Sequence, residues 1–401
     1  MSLPHRTIVA LVLVGALAAP AAAQPPEPDP LDSMPIRFGP LGLSPSLLIR
    51  DVGVDSNVFN DAQNPKEDFT ATIVPRVQAR LRAGPLLLSA SNAAGFVYFH
   101  EFADERNVSY TWEARAELTS ARLQPYISGS MIETRERLNA ELDIRAPRQQ
   151  TTAIAGARLA LASRTALRLE ARRSHLTFDD GATFEGVALS RTLNDRVDTY
   201  ESSLLVTLTP MTTVGVTTGW QRDRFEHAPE RDADSFRVMP FVQFDPTALI
   251  QGTLGVGYRR FDPIAPVLAD YAGLVAQGSL GYTLLERTRF DLRLTRDVHY
   301  SFELDQPYYL TTGARLDVIH HLAGPFDVQG GVGRERLGYR QLVTGRVNRT
   351  DTADVVSAGV GYRFRDDVRV GVSWEAATRD SDRQDRRYDR HRIVASFSYG
   401  I

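Results

Sequence analysis

His299 and Ser301 combine two residue types that hydrolytic enzymes use as general base and nucleophile. They are two positions apart, so on a β-strand both side chains would lie on the same face. No asparagine is evidently placed to orient the imidazole, which leaves the third member of a hydrolytic triad missing. We therefore favour a structural role for the pair and keep lipid hydrolysis as a distant alternative.

Other residue types that bind metal ions or cofactors are present but poorly spaced. His320 and His321 are adjacent, so on a strand they point to opposite faces and cannot share a metal ion. Residues 55–68 are rich in oxygen ligands, but Asn60 and Lys66 stand where a calcium loop needs glycine and glutamate. The chain has no cysteine, which excludes thiolate sites and disulfides. We predict no catalytic residue, no metal and no cofactor.

Two further patterns have structural interpretations. Glycines recur in residues 255–259, 331–333 and 359–363, but they lie inside predicted strands and not at a strand-to-helix turn, so they do not indicate a nucleotide site. Residues 379–387 alternate in the sign of their charge. This tract predicts a solvated external hairpin, with contact to anionic lipopolysaccharide as the alternative.

These residues sit in a chain that alternates apolar and polar side chains from about Leu47 to its end. Residues 69–82 and 108–119 show the pattern most clearly. Successive side chains of a strand point to opposite faces, so each stretch has one apolar and one charged face. A closed sheet that is apolar outside and polar inside is the only β structure that spans a membrane.

The lengths of the connections predict the number of strands. Eight short connections alternate with nine longer polar ones, which predicts about eighteen strands with short periplasmic turns and longer external loops. The predicted fold is therefore all-β, a transmembrane up-and-down antiparallel β-barrel. A barrel of this size leaves a water-filled channel. An external loop folded inward would constrict that channel, and residues 179–195 are the candidate.

If the apolar face contacts lipid, the charged face lines the lumen. Arginine exceeds acid on this face, and fixed cationic charge in a narrow aqueous channel favours anions. Cross-strand ion pairs that neutralise one another are the favoured interpretation for most of these residues, so we expect only a modest preference for anions. The lumen-lining candidates are Arg76, Arg80, Arg82, Arg115, Glu117, Arg168, Arg172, Arg237, Arg259, Asp291, Arg293, Arg363 and Arg369.

Aromatic residues cluster at the two ends of the predicted strands. Amphipathic rings settle at the level of lipid headgroups, so two girdles are expected for a cylinder embedded in a bilayer. A general preference of aromatic residues for strands would not predict clustering at strand ends. The girdle candidates are Tyr110, Trp112, Phe236, Phe261, Tyr300 and Tyr308 at the external end and Tyr362, Phe397 and Tyr399 at the periplasmic end.

The N-terminal residues predict export. Residues 1–23 carry Arg6, an apolar run over 8–19 and then small residues, which is typical of a signal peptide. Residues 24–45 are rich in proline and predict a periplasmic segment, and residues 46–401 form the barrel. After residue 23 the chain contains no apolar run of about 18 residues, so no transmembrane helix is predicted. The net charge of −3 gives no argument for nucleic-acid binding. The expected location is the bacterial outer membrane.

The start of the barrel carries a family resemblance. The segment Gly53-Val54-Asp55-Ser56-Asn57-Val58-Phe59, followed by Asp68 and a strand over 73–77, resembles the N-terminal strand pair of an outer-membrane β-barrel porin family. Members of that family are often associated with exopolysaccharide gene clusters. The resemblance implies an outer-membrane pore or an export component.

The C-terminal end predicts one partner. Ile393, Ala395, Phe397, Tyr399 and Ile401 alternate as in the closing-strand signal that the barrel assembly machinery reads, although most such signals end in an aromatic residue. The other expected partners are outer-membrane lipid, lipopolysaccharide and periplasmic polysaccharide-export proteins.

The leading functional hypothesis is a porin-like pore. It would pass small polar or anionic solutes or saccharides passively, with a link to surface polysaccharide. The alternative is a non-conducting scaffold for an envelope or polysaccharide-export complex, with residues 24–45 as the contact. A lipid-modifying enzyme is the distant third possibility.

Overall fold

In the computed structural model, which describes residues 31, 34–342 and 347–400, eighteen antiparallel strands close into one barrel. Each barrel strand pairs with the next one along the chain, and the last strand pairs with the first, for example at Leu47 and Tyr399. The predicted all-β transmembrane barrel of about eighteen strands is thereby confirmed. The predicted signal peptide, residues 1–23, lies outside the described residues, as does Ile401. Within the described ranges, no helix is long and apolar enough to cross a membrane.

The barrel strands alternate between short turns and longer loops. They are β2 (Leu41–Asp55), β3 (Asp68–Ala83), β4 (Leu86–Phe99), β5 (Asn107–Leu118), β6 (Leu123–Thr134), β7 (Arg148–Ala162), β8 (Thr165–Phe178), β11 (Asp195–Thr209), β12 (Thr212–Phe225), β13 (Ala233–Phe244), β14 (Ile250–Pro263), β15 (Tyr271–Leu284), β16 (Thr288–Tyr300), β17 (Tyr308–His321), β18 (Phe326–Arg340), β19 (Val347–Arg365), β20 (Val368–Asp380) and β21 (Tyr388–Tyr399). The loops between them follow the predicted alternation in length.

A few short elements lie outside the barrel wall. The strand β1 (Ile36–Phe38) pairs with the start of β2, and β9 (Thr183–Phe184) pairs with β10 (Val187–Ala188) in one external loop. The helix α1 (Leu189–Leu193) follows β10 directly. Single 3-10 turns occur at Ala103–Glu105, Pro229–Arg231 and Gln384–Arg386.

The barrel begins earlier than the predicted boundary at residue 46. The strand β2 starts at Leu41, inside the segment assigned to a proline-rich periplasmic tail, and Pro45 pairs in register with Val77 of β3. On the other side of β2, β21 pairs only from Leu47 onward. Proline is tolerated at such a position because no neighbouring strand there requires its missing N–H group.

The two faces of the wall follow from the strand register. Paired residues of neighbouring strands share a face, and one face carries exposed apolar side chains such as Ile73, Trp112 and Ile127. We take this apolar face as the outer one, since it suits lipid. The opposite parity carries the arginines and carboxylates and therefore faces the lumen, as at Arg115 and Glu201.

One hairpin leaves the wall at the external end. Pairing between β15 and β16 stops at Ala276 and Arg296, whereas β16 and β17 stay paired up to Tyr300 and Tyr308. The tip of this hairpin therefore separates from β15 and turns into the mouth, where the ring of Tyr300 packs 4.7 Å from that of Phe225. We call residues 297–310 the tucked tip.

Candidate functional site

The external mouth of the barrel is crossed by the loop of residues 135–147, which we call the mouth loop. It joins β6 to β7, and its Glu141 reaches the tucked tip on the other side of the barrel. Glu141 Oε1 accepts a hydrogen bond of 2.7 Å from the Ser301 hydroxyl and another of 3.3 Å from the backbone N–H of Phe302. The loop therefore spans the mouth and does not stand out into solvent.

Two arginines hold the backbone of the mouth loop. Arg379, at the external end of β20, donates to the carbonyl of Ala140, and Arg386 donates to the carbonyl of Glu141. Arg379 also forms an ion pair of 2.5 Å with Asp351, and both side chains are almost completely buried. Buried ion pairs are strongly destabilising to break, so these contacts fix the position of the loop.

The mouth loop is also tied to the external loop between β2 and β3. The carbonyl of Val58 accepts a hydrogen bond of 2.8 Å from Arg137 and a second one from Arg145. Asn60 donates to Asp143 over 2.7 Å, and Asp143 pairs with Arg137 at 2.6 Å. The mouth loop, the tucked tip and the external loop between β2 and β3 therefore all contribute to closing the mouth.

An apolar cluster lies beneath these polar contacts. Leu142 of the mouth loop packs with Phe178, Phe302 and the α1 residues Leu189 and Leu193, and all five are buried. From the sequence, residues 179–195 are the candidate for a loop that folds inward and constricts the channel. In the structure residues 179–194 pack against the mouth loop, while the mouth loop itself makes the crossing.

Burial changes the acidity of the carboxyl group at the centre of this closure. Removal from water raises the pKa of Glu141 to about 7, against opposing effects from the Ser301 hydroxyl, Arg386 and Arg379. The charge of Glu141 therefore changes within the physiological pH range, at the point where the loop meets the opposite wall.

A cavity of about 350 Å³ lies among the external loops, next to the closure. Asp143, Arg379 and Arg386 contribute to its lining, together with Phe59 and Glu185 from two other loops. The charged side chains that hold the mouth loop therefore also border this cavity.

Every lumen-lining candidate lies on the inward-facing parity, and Arg259 among them is buried against the tucked tip through its pair with Asp297. Many of them form ion pairs, as the sequence analysis favoured: Arg115 with Glu117, Arg172 with Glu170, Arg237 with Glu201, Arg259 with Asp297, Asp291 with Arg289, Arg293 with Asp317, and Arg369 with Asp327. The pair between Arg369 and Asp327 passes over Gly361, where an added Cβ atom would lie 2.1 Å from the guanidinium.

Some inward-facing arginines lack such a partner. Among the described residues, no carboxylate lies within 4.0 Å of Arg76, Arg158, Arg168 or Arg363. Arg80 and Arg82 have contacts of their own and also face the lumen. Guanidinium groups in an aqueous channel that form no close ion pair attract anions.

Hydroxyl groups form part of the same wall. A recess of about 450 Å³ is lined by Ser89 and Ser91 of β4, by Ser128 and Ser130 of β6, which lies on the other side of β5, and by Thr152 of β7. The recess also includes Arg80, Arg115 and Glu113. Small hydroxyl side chains and arginines together can bind solutes that carry both hydroxyl and carboxylate groups.

The structure divides the girdle candidates into two sets. Tyr110, Trp112 and Phe236 lie on the outward face toward the external end, and Tyr362, Phe397 and Tyr399 lie on that face at the periplasmic end.

The girdle prediction is wrong for Phe261, Tyr300 and Tyr308. Phe261 has the inward parity, and its ring lies 5.9 Å from that of Tyr300 and 5.2 Å from that of Tyr308. Tyr300 and Tyr308 have the outward parity, but the tucked tip has left the wall and carries them into the mouth, so they pack against its inner side.

Two other sequence motifs also belong to the mouth. Ser301 is fully buried against Glu141, and the His299 ring stacks on Tyr309 at 5.7 Å, so neither faces lipid. The alternating tract 379–387 is not a solvated hairpin, because Arg379 and Arg386 are buried. Its Arg383 pairs with Glu185 at 2.7 Å and Glu303 at 3.2 Å.

The sequence matches a known family over most of its length. The model of the family described as Putative beta-barrel porin 2 matches residues 29–399. A search of curated proteins finds no match to the chain.

Porins from Pseudomonas are among the solved structures with a similar architecture. OccK2 (OpdF) of Pseudomonas aeruginosa, in complex with glucuronate, is 10% identical with a TM-score of 0.50. OpdK of the same species, with vanillate, is 11% identical with a TM-score of 0.49, and a BenF-like porin from Pseudomonas fluorescens Pf-5 is 9% identical with a TM-score of 0.48. Each alignment covers 89% of this chain and 98% of the other. The likeness to OccK2 shows a shared fold.

Proposed function

Since the chain belongs to the Putative beta-barrel porin 2 family, we propose that it is a passive pore for small polar solutes that carry negative charge or hydroxyl groups. Its location is the bacterial outer membrane. Family and fold together point to a porin-like pore for small solutes and to a channel without enzymatic activity.

The observation that carries the proposed selectivity is the composition of the inner wall. Its carboxylates are largely paired with arginine, whereas Arg76, Arg158, Arg168 and Arg363 have no carboxylate within 4.0 Å in the described part of the chain. The recess lined by serine and threonine hydroxyls offers hydrogen bonds to a polyol beside these charges. A sugar acid combines both requirements.

Planar-bilayer recording of the purified full chain tests this proposal. We expect discrete current steps, a reversal potential that indicates preference for chloride over potassium, and partial block of the current by glucuronate. Glucose, which has the hydroxyls without the carboxylate, should block less. Absence of any current at every pH and voltage would refute a pore, and equal block by both sugars would refute the preference for sugar acids.

A non-conducting scaffold is the second candidate function, and the closed mouth favours it. The mouth loop reaches the opposite side of the barrel, and a buried ion pair helps to hold it there. A plug would require such a fixed position. The proposed link to surface polysaccharide fits either function, with periplasmic export proteins as partners. Deleting the protein in its host and measuring surface polysaccharide tests that link, and unchanged polysaccharide would contradict it.

A further inference from the structure

The outer wall of β3–β8 contains an apolar trough. A row of paired outward positions is filled by Ala79, Ala90, Ala114, Gly129 and Ala153, on five consecutive strands. The rows on either side carry larger side chains, including Trp112 and Met131 toward the outside and Leu81, Leu88 and Ile127 toward the periplasm. The trough between them encloses about 920 Å³.

The same row of paired positions continues into charged residues. Ala153 pairs with Arg173, Arg173 with Asp198, and Asp198 with Arg222. Because the strands are tilted, the row rises from Ala79, near the periplasmic end of β3, toward the external ends of β8, β11 and β12. Arg173 and Asp198 line the external end of the trough.

The charged cluster has an excess of positive charge. Asp198 pairs with Arg173 at 2.6 Å and with Arg196 at 3.5 Å, and the arginine side chains are 55% and 47% exposed. Arg222 and His175 are exposed on the same face. Arg222 lies in register with Asp234, which pairs with Arg224 at 2.7 Å on the same face, so four guanidinium groups accompany two carboxylates.

Neighbouring aromatic residues indicate the depth of the charged cluster in the membrane. Tyr200 and Trp220 pair on the outward face two residues toward the periplasm from Asp198 and Arg222, and Phe236 extends the same row. Aromatic side chains of this kind mark the interface between the hydrocarbon and the headgroups. The arginines therefore lie at the level where phosphates of the outer leaflet occur.

From the groove and this charge complementarity, we propose that the trough binds a phosphorylated glycolipid of the outer leaflet, of the lipid A type. One acyl chain lies along the alanine row, and a phosphate on the headgroup accepts hydrogen bonds from Arg173, Arg196 and Arg222. Guanidinium groups suit phosphate because they offer paired donors in a plane.

The shape and charge of the trough favour a lipid over a second copy of the chain. Two barrels are convex, so they touch along a line and leave a narrow recess unfilled, whereas an acyl chain fills it. A second barrel would also have to supply anionic groups opposite the three arginines. Phosphates of the outer leaflet supply them directly.

Native mass spectrometry of the full chain in detergent, with added lipid A, tests the site. We expect one lipid A to be retained per barrel, and its affinity to fall about tenfold or more in the triple variant Arg173→Gln/Arg196→Gln/Arg222→Gln. Filling the trough with Gly129→Leu should weaken binding as well. A side chain is tolerated there, since the nearest atom to an added Cβ is the Thr152 carbonyl oxygen at 3.8 Å.

Matched controls distinguish the possible outcomes. The double variant Arg334→Gln/Arg336→Gln removes outward-facing arginines from a different part of the wall and should bind as the wild type does. Single-channel conductance shows that each variant is folded. Wild-type binding by the triple variant, equal binding of dephosphorylated lipid A, or equal binding of phosphatidylglycerol would overturn the proposal. A dimer or trimer that Gly129→Leu dissociates would assign the trough to a second copy instead.

Discussion

The carboxylate of Glu141 accepts a hydrogen bond of 2.7 Å from the hydroxyl of Ser301, although the two residues belong to opposite sides of the barrel. Through this contact the mouth loop and the tucked tip meet in the lumen. Both groups are completely buried, so their interaction reports whether the mouth is closed.

Closure of the mouth should depend on pH through Glu141. Its pKa is about 7 in the closed mouth, above the ordinary value of 4.5 that it regains when hydrated. Below about pH 4.5 Glu141 is protonated in both the closed and the open state, so the closed state is fully stable. This stability is lost as the pH rises through about 7, because Glu141 then ionises. Ionised Glu141 therefore disfavours closure by about 3 kcal/mol. Conductance should therefore rise as the pH increases from about 4.5 to about 7 and stay constant at higher pH.

The variant Glu141→Gln isolates this effect. The amide keeps the shape and accepts the Ser301 hydrogen bond but does not ionise, so its conductance should be nearly constant over the same pH range. An equally large pH response in the variant would assign the effect to another group.

Removing Arg379 should open the mouth without unfolding the barrel wall. Arg379→Ala breaks a buried pair with Asp351 and frees the Ala140 carbonyl, which should weaken closure by roughly 3 kcal/mol. Single-channel conductance at about pH 6 should increase. The control Arg334→Ala removes an exposed pair with Asp354 on the outer wall, worth about 0–1 kcal/mol, and should leave conductance unchanged. Identical conductance in both variants would show that the loop does not restrict the pore.

The preference for anions should depend on inward-facing arginines. In Arg76→Gln/Arg168→Gln two guanidinium groups that have no carboxylate within 4.0 Å in the described part of the chain are lost from the lumen, so the ratio of chloride to potassium permeability should fall about twofold or more. Reversal potentials in a salt gradient measure this ratio. Arg260→Gln, which changes an outward-facing arginine, serves as the control. A fall of equal size in the control would contradict the assignment of faces.

The tucked tip should depend on Tyr308, which is 1% exposed and donates a hydrogen bond of 2.9 Å to the Ala269 carbonyl. Tyr308→Ala removes a buried ring and should destabilise the tip locally by about 3–5 kcal/mol. Hydrogen exchange in residues 297–310 should become much faster. Tyr258→Ala, on the outer wall and 50% exposed, should not change exchange there. Unchanged exchange in Tyr308→Ala would mean that other contacts hold the tip.

The wall of the barrel could be predicted from the sequence because its signals are local. A period of two residues fixes which side chains share a face, and the alternation of short and long connections fixes the number of strands. Arg115 and Trp112 therefore fall on the expected faces. Pro45 misled the prediction of the first strand, since its tolerance depends on where β21 ends.

The mouth could not be predicted in the same way, because parity assigns a face only while a strand stays in the wall. Tyr308 has the outward parity but lies inside, since β16 separates from β15 after Arg296. The mouth loop did carry one signal that the sequence analysis missed. Leu138, Leu142 and Ile144 are unusually apolar for an external loop, and apolar side chains there indicate packing against other segments.

One parity of each strand borders an aqueous lumen, and the other parity borders lipid. The chain has no cysteine, so single cysteines can be introduced at neighbouring positions and labelled in reconstituted vesicles. Arg115→Cys and Ser128→Cys should react with a charged, water-soluble maleimide, whereas Ala114→Cys and Ile127→Cys should react only with a lipid-soluble one. Equal reaction of both sets with the water-soluble reagent would contradict this assignment of the two faces.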